Sequence, residues 1–240
     1  MGRTARSTRE NRERLMELVE GATEVFARRG YGETTMADVA SHLEVAPGTL
    51  YLYFSGKEAL FHLLVLHGLS ESRDDNFGEI PVPTPDTEET VERVRARISR
   101  LVSTSPVSWP PREGPREPKE ELRAVLLGLY SILHELRGAI VLLERSAHEW
   151  PELWTTLQRS LFCELREGLA RYLSHRMREG YLHPVPDVPA AARLAIESLS
   201  HFARHERGNN PRVRETVIEV LTYGLLGEAT EEGDGDAEEI

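Results

Sequence analysis

The chain has 240 residues, 40% of them apolar and 29% charged, with one cysteine and a formal net charge of −11 at pH 7. The apolar share excludes wholesale disorder, a lone cysteine excludes an internal disulfide, and no apolar run approaches the roughly 18–20 residues of a membrane span. Taken whole, the charge also speaks against a nucleic-acid partner, since phosphate binding needs positive surface.

The distribution of charge changes that last reading. Residues 71–92 are net −7 and residues 228–240 are net −7, whereas residues 1–70 are close to neutral. Five arginines (Arg3, Arg6, Arg9, Arg12 and Arg14) stand against Glu10 and Glu13 in the first 14 residues. This basic start lacks the apolar stretch of a signal peptide, so a cytoplasmic location is expected.

In chain order, every predicted element is a helix. Leu15, Leu18, Val19, Ala22, Val25 and Phe26 form one apolar stripe over 9–29. Gly30 ends that helix, where a left-handed residue is wanted. Thr35 with Asp38 three residues on resembles a capping box for a second helix, whose buried face is Met36, Val39, Ala40 and Leu43. After a break at Glu44-Val45-Ala46, Pro47 starts a short helix over 47–54. Ser55 is then the expected N-cap, with Glu58 three residues on, of a helix running to about 72.

Prolines break the pattern at 74–86 and at 103–118, the latter holding five of them. A helix over 87–102 lies between these breaks. Further helical patterns cover 119–136, 138–149, 151–179, 188–206 and 211–227. The tail after 227 has almost no apolar content and is expected to be disordered. The fold class is therefore all-α. The division is an N-terminal arm and small helical domain over 1–56, a larger helical domain over 57–227, and the acidic tail 228–240.

Residues 35–57 have the form of a helix-turn-helix: two short helices, a three-residue turn, then a long helix. Leu50 and Phe54 are four apart and apolar, so they face the core. Pro47, Gly48, Thr49, Tyr51, Leu52 and Tyr53 then project elsewhere. Hydroxyls on such a face suit phosphates and base edges. Pro47-Gly48 keeps the first turn slim enough to approach a groove floor. Lys57, in the first turn of the next helix, is placed to meet a phosphate.

The stretch FARRGYGETTMADVASHLEVAPGTLYLYFSGKEAL resembles the DNA-binding domain of the TetR family of transcriptional regulators. The matching residues are Gly30-Tyr31, Thr34-Thr35, Val39-Ala40, Gly48-Thr49-Leu50-Tyr51, Tyr53-Phe54 and Lys57-Glu58, within roughly residues 10–65. The rest of the chain agrees in layout, a variable helical domain for effector binding and dimerisation. Glu44 departs from the glycine that many members carry in the turn, at a cost of order 1 kcal/mol if φ is positive. The proline-rich stretch at 103–118 is longer than in most members.

The resemblance implies that Thr35 caps the second helix and touches a phosphate. It also implies that Thr49, Tyr51 and Tyr53 bind phosphates, that Pro47, Gly48 and Leu52 lie against base edges, and that Lys57 holds a phosphate. The arm's arginines would enter a minor groove or add charge. The last two helices resemble the family's dimer interface, with Leu194, Ile196, Leu199 and Phe202 on one and Val217, Val220, Leu221, Leu225 and Leu226 on the other.

Other chemistry finds little support. His201 and His205 are four apart, a metal-capable spacing, but no acidic residue stands between them in the zinc-protease place. Cys163 reads as a small buried side chain. No nucleophile elbow and no glycine-rich phosphate loop occur. No catalytic residues, metal or cofactor are therefore expected. Trp109, Tyr130, His134, Arg145, Trp150, Trp154 and Phe162 are candidates to line an effector cavity, or else ordinary core. The expected protein is a homodimeric repressor that binds a double-stranded operator, is released by a small-molecule effector, and does not touch a membrane. An activator fits the same residues. The alternative from another class is a helical small-molecule-binding protein or enzyme with an incidental helix-turn-helix.

Overall fold

A computed structural model describes residues 2–69, 79–108, 117–205 and 210–226, with side chains from residue 11 onward. Trp109, the tail 228–240 and the side chains of Arg3, Arg6 and Arg9 lie outside the described residues. The helices are α1 (Gly2–Arg29), α2 (Met36–His42), α3 (Pro47–Tyr51), α4 (Lys57–Gly68), α5 (Thr87–Ser103), α6 (Pro118–Glu135), α7 (Arg137–Arg145), α8 (Pro151–Leu157), α9 (Glu164–Arg178), α10 (Val188–His205) and α11 (Pro211–Leu226). A π-helical segment, Gln158–Cys163, joins α8 to α9. Among the described residues no strand forms; a single bridge pairs Phe54 with Val82.

The apolar stripe of α1 is buried as its spacing predicts, with no member more than 3% exposed. α1 begins at Gly2, however, so the expected arm continues the helix instead of standing apart from it. Its arginines and glutamates are good helix formers and no proline interrupts them. Gly30 then ends α1 at φ 76°. A Cβ there would also lie 2.7 Å from the Arg145 carbonyl oxygen, so both conformation and space require glycine.

Four further boundaries differ from expectation. The short helix closes at Tyr51 rather than 54, because Tyr53 and Ser55 spend their backbone groups on Val82. Ser55 does not cap α4: Gly56 holds the N-cap position, and the Ser55 hydroxyl lies 3.1 Å from that of Thr84. α4 stops at Gly68, short of 72, and α7 stops at Arg145, short of 149. Ser146 leaves the α7 pattern, and its hydroxyl accepts the Tyr31 N–H at 3.1 Å. The stretch 151–179 is not one α-helix. The wider π turn, which a 3.6-residue pattern cannot reveal, interrupts it.

The apolar residues form one continuous core. α1 and α4 both pack on α7, α5 on α8, α10 on α9 and α6, and α11 on α6. The α6–α9 contact includes a charged group. Arg176 is 1% exposed and donates to Glu121 at 2.8 and 2.9 Å and to Glu179 at 2.7 Å. The Tyr172 hydroxyl donates to the same Glu121 at 2.8 Å. A buried guanidinium needs such partners, because removing it from water costs several kcal/mol.

Candidate nucleic-acid interface

The capping box expected from sequence opens α2. Asp38 N–H donates to the Thr35 hydroxyl oxygen at 3.1 Å, and Thr35 N–H donates to the Asp38 carboxylate at 2.9 Å. The Thr35 hydroxyl also donates to Asp38 at 2.5 Å, and Arg29 pairs with the other carboxylate oxygen at 2.9 Å. The Thr35 side-chain and backbone hydrogen bonds, with Arg29 adding to them, hold the Asp38 carboxyl below its usual range. Thr35 is exposed, yet its hydroxyl already serves the cap.

The turn to α3 passes through Glu44 at φ 55°, the left-handed conformation that favours glycine. Pro47 then occupies the first turn of α3, where its missing N–H costs nothing. Leu50 and Phe54 are fully buried and fix the roll of this segment. The other side faces out: Tyr51 is 53% exposed and Leu52 67%. Pro47 and Gly48 are also exposed, and a Cβ added at Gly48 would meet nothing within 4 Å. Thr49 and Tyr53 are half-buried, with Tyr53 packed against the core. The expected face is thus divided. Pro47, Gly48, Tyr51 and Leu52 form its open part, and Thr49 and Tyr53 its margin.

Lys57 is held within the protein. Its ammonium donates to the Tyr31 carbonyl oxygen at 3.0 Å and sits 4.0 Å from the centroid of the Tyr31 ring. The ammonium thus ties α4 to the loop after α1, and can meet an external anion only beside or in place of these contacts.

Behind this face lies a junction that the sequence reading missed. The Phe61 ring stacks on Trp150 at 5.7 Å, Tyr31 meets both edge-on, and His62 lies 4.8 Å from Trp150. His62 is fully buried, with Nδ1 2.6 Å from the Thr90 hydroxyl of α5. Burial pushes its imidazole down to about 4. These aromatics connect α1, α4, α5 and the α7–α8 corner, and no local spacing marks them as neighbours.

The expected cavity-lining residues do not assemble as a set. Arg145 is exposed and donates to the Arg28 carbonyl oxygen at 3.0 Å, closing the end of α1. Trp150 belongs to the junction just described. Tyr130 is buried and stacks on His134 at 5.8 Å, Phe162 is buried, and Trp154 is half-buried against the core. A groove of about 630 Å³ instead opens beside α5, α9 and the π segment, lined among others by Arg95, Ser99, Val102, Ser160, Glu164 and Arg171. Among the described residues, none of the expected ones lines it. Cys163, the last residue of the π segment, is half-buried rather than buried. His201 and His205 stack at 4.5 Å on the outside of α10. Among the described residues no group of three or more potential metal ligands gathers, and no single helix is long and apolar enough to cross a membrane.

A buried second helix, a left-handed turn and a short third helix with an open polar–aromatic face define a helix-turn-helix protein. Residues 18–64 match the family described as bacterial regulatory proteins, tetR family. The helix-turn-helix region of the chain is thus that of the TetR family of transcriptional regulators. The chain is 40% identical over 65 residues to the uncharacterized HTH-type transcriptional regulator YfiR of Bacillus subtilis, a match covering 27% of this chain and 32% of that one. The chain therefore spans about a third of the length of that relative. It is 22% identical over 222 residues to the HTH-type transcriptional repressor KstR2 of Mycobacterium tuberculosis, covering 90% of this chain and 93% of that protein. The solved structure of the ketosteroid transcriptional regulator KstR2 superposes with a TM-score of 0.58, covering 90% of this chain and 96% of that one at 21% identity. PfmR of Thermus thermophilus superposes at 0.51 over 85% of this chain and 96% of that one, at 19% identity. These superpositions extend the shared fold beyond the helix-turn-helix.

Proposed function

We propose that the protein is a homodimeric, operator-binding transcriptional repressor released by a small-molecule effector. One observation carries the DNA-binding reading. On a segment locked by buried Leu50 and Phe54, the large side chains of Tyr51 and Leu52 stand in solvent beside Pro47 and Gly48. Exposed tyrosine and leucine on a slim helix have no packing role and suit a major groove. In this reading residues 1–56 bind DNA, with Thr35, Thr49, Tyr51 and Tyr53 on phosphates and Lys57 joining them from the start of α4, and the rest of 57–227 binds effector and partner.

The dimer reading draws on α10 and α11. Leu194, Phe202, Val220 and Tyr223 are 65%, 38%, 65% and 56% exposed, respectively. Ile196, Leu199, Val217 and Leu225, expected in the same interface, are buried within the subunit and form the floor beneath those side chains. A second copy covering the exposed residues would bury both hairpins about a two-fold axis. The groove beside α5 is the candidate entry for an effector, which would weaken operator binding by the factor by which the operator weakens effector binding. The repressor reading draws on the likeness to KstR2, a transcriptional repressor.

The test is fluorescence anisotropy of purified protein with the DNA upstream of its own gene, titrated with salt. Tight binding at low salt is expected, and no binding in the absence of ligand overturns the reading. Lys57→Ala should flatten the log–log salt dependence by about one unit. An unchanged slope removes Lys57 from the phosphate contacts and leaves it as the Tyr31 tether.

A further inference from the structure

We propose that residues 79–86 act as a strap that positions the recognition segment, so that the end of α3 and the first turn of α5 move as one piece. This rests on the DNA-binding reading above and adds a route of coupling to it. The observation is the bridge between Phe54 and Val82. Val82 N–H donates to the Tyr53 carbonyl oxygen at 2.7 Å, and Ser55 N–H donates to the Val82 carbonyl oxygen at 2.9 Å. The Val82 side chain is buried, and two residues on Thr84 pairs its hydroxyl with that of Ser55.

The local physics explains why α3 needs such a partner. Five residues are far too few for a helix that holds itself. Within the segment, Leu52, Tyr53 and Phe54 direct their N–H groups back to Thr49 and Leu50. The Tyr53 carbonyl and the Ser55 N–H lie beyond that pattern, and the strap satisfies both. Tyr53 and Ser55 flank Phe54, whose burial fixes the roll of the exposed face.

The other end of the strap is anchored to the larger domain. Pro83 and Pro85 fix two φ angles between Val82 and Asp86, so this short connection is stiff. Asp86 caps α5 by accepting the Glu88 N–H at 3.0 Å. One turn further, Thr90 meets His62 of α4. The first turn of α5 is therefore joined to α3 by the strap and to α4 by the Thr90–His62 pair. Farther along, α5 lines the groove through Ser99 and Val102. A displacement of α5 therefore reaches the recognition segment through the strap, alongside its contact with α4.

Val82 is thus a positioning residue, and its backbone N–H is the group to remove. Val82→Pro deletes the donor to Tyr53, while Val82→Ile keeps both the donor and a buried branched side chain. Two probes are used: a duplex selected by the wild-type protein from fragmented genomic DNA, and a random-sequence duplex. Hydrogen exchange at the Ser55 and Phe54 amides and the thermal midpoint are measured alongside.

Val82→Pro should bind the selected duplex about tenfold more weakly, the loss expected of one or two net hydrogen bonds. Binding of the random duplex should hardly change, and exchange at Ser55 should quicken while Phe54 stays protected. Val82→Ile should match wild type throughout. Thr84→Val, which removes only the hydroxyl pair, should show a smaller loss of the same kind and serves if Val82→Pro fails to fold. Wild-type affinity in Val82→Pro despite a fast Ser55 amide overturns the proposal. So does equal loss on both duplexes, or a Ser55 amide that is unprotected in the wild type. A wild-type protein that selects no DNA overturns the DNA-binding reading first, and is told apart because Ser55 exchange needs no DNA.

Discussion

The helix-turn-helix and the larger helical domain place their aromatic residues in opposite settings. On α3, Tyr51 is 53% exposed, while on α6 Tyr130 is 2% exposed and stacked on His134. A surface that reads DNA must be complete before its partner arrives, so its side chains stand outside and the fold does not depend on them. An aromatic ring inside a helical bundle contributes to packing first. Alanine at the two tyrosines should separate these roles. Tyr130→Ala should lower unfolding free energy by about 3 kcal/mol, as loss of a large core side chain does. Tyr51→Ala should stay within about 0.5 kcal/mol of wild type, while losing much of its affinity for the selected duplex. Denaturant titration and anisotropy on both variants check this. A destabilised Tyr51→Ala with intact DNA binding would reverse the comparison.

The same contrast explains what could be read from sequence. The Thr35–Asp38 capping box, the turn at Glu44 and the buried pair Leu50–Phe54 depend on residues three to five apart, and each is found in the structure. The aromatic junction depends on Tyr31, Phe61 and Trp150, which are separated by up to 119 positions in the chain. No periodicity relates such residues. The side chains of Trp150 and Arg145 suit an effector cavity or ordinary core alike, and spacing does not show that Trp150 meets Phe61 or that Arg145 reaches the Arg28 carbonyl. The strap escaped for another reason. Its pairing uses backbone atoms, and PVPTPD announces only that a helix cannot form there.

The junction gives the comparison a pH axis. The folded protein keeps His62 near 4, below the 6.5 of an unperturbed imidazole. Between those values the unfolded chain binds more protons, so stability rises with pH across the window and is complete above it. As pH falls from 6.5 toward 4, His62 alone should cost up to about 1.4 kcal/mol per pH unit. His62→Phe cannot titrate, and Thr90 keeps its bond to the Asp86 carbonyl. Unfolding midpoints of wild type and variant should diverge on acidification within this window and run parallel above pH 7. Parallel curves throughout would mean that His62 opens to water before the rest of the protein unfolds.

The smallest expected effect lies in the turn that leads into the proposed DNA-binding face. Glu44 is exposed and occupies φ 55°, so its side chain contributes little packing while its backbone bears the cost of a left-handed residue. Glu44→Gly removes that cost but gives the unfolded chain more freedom, and the two changes oppose each other. The balance should favour glycine by about 0.5–1 kcal/mol, because the strain is larger than the added entropy at such a site. The substitution also removes a negative charge beside the recognition segment, which should tighten random-duplex binding slightly at low salt and not at high salt. A thermal midpoint that falls in Glu44→Gly would mean that Glu44 holds the turn through its side chain. The preformed face would then depend on a residue outside both its buried anchors and its exposed surface.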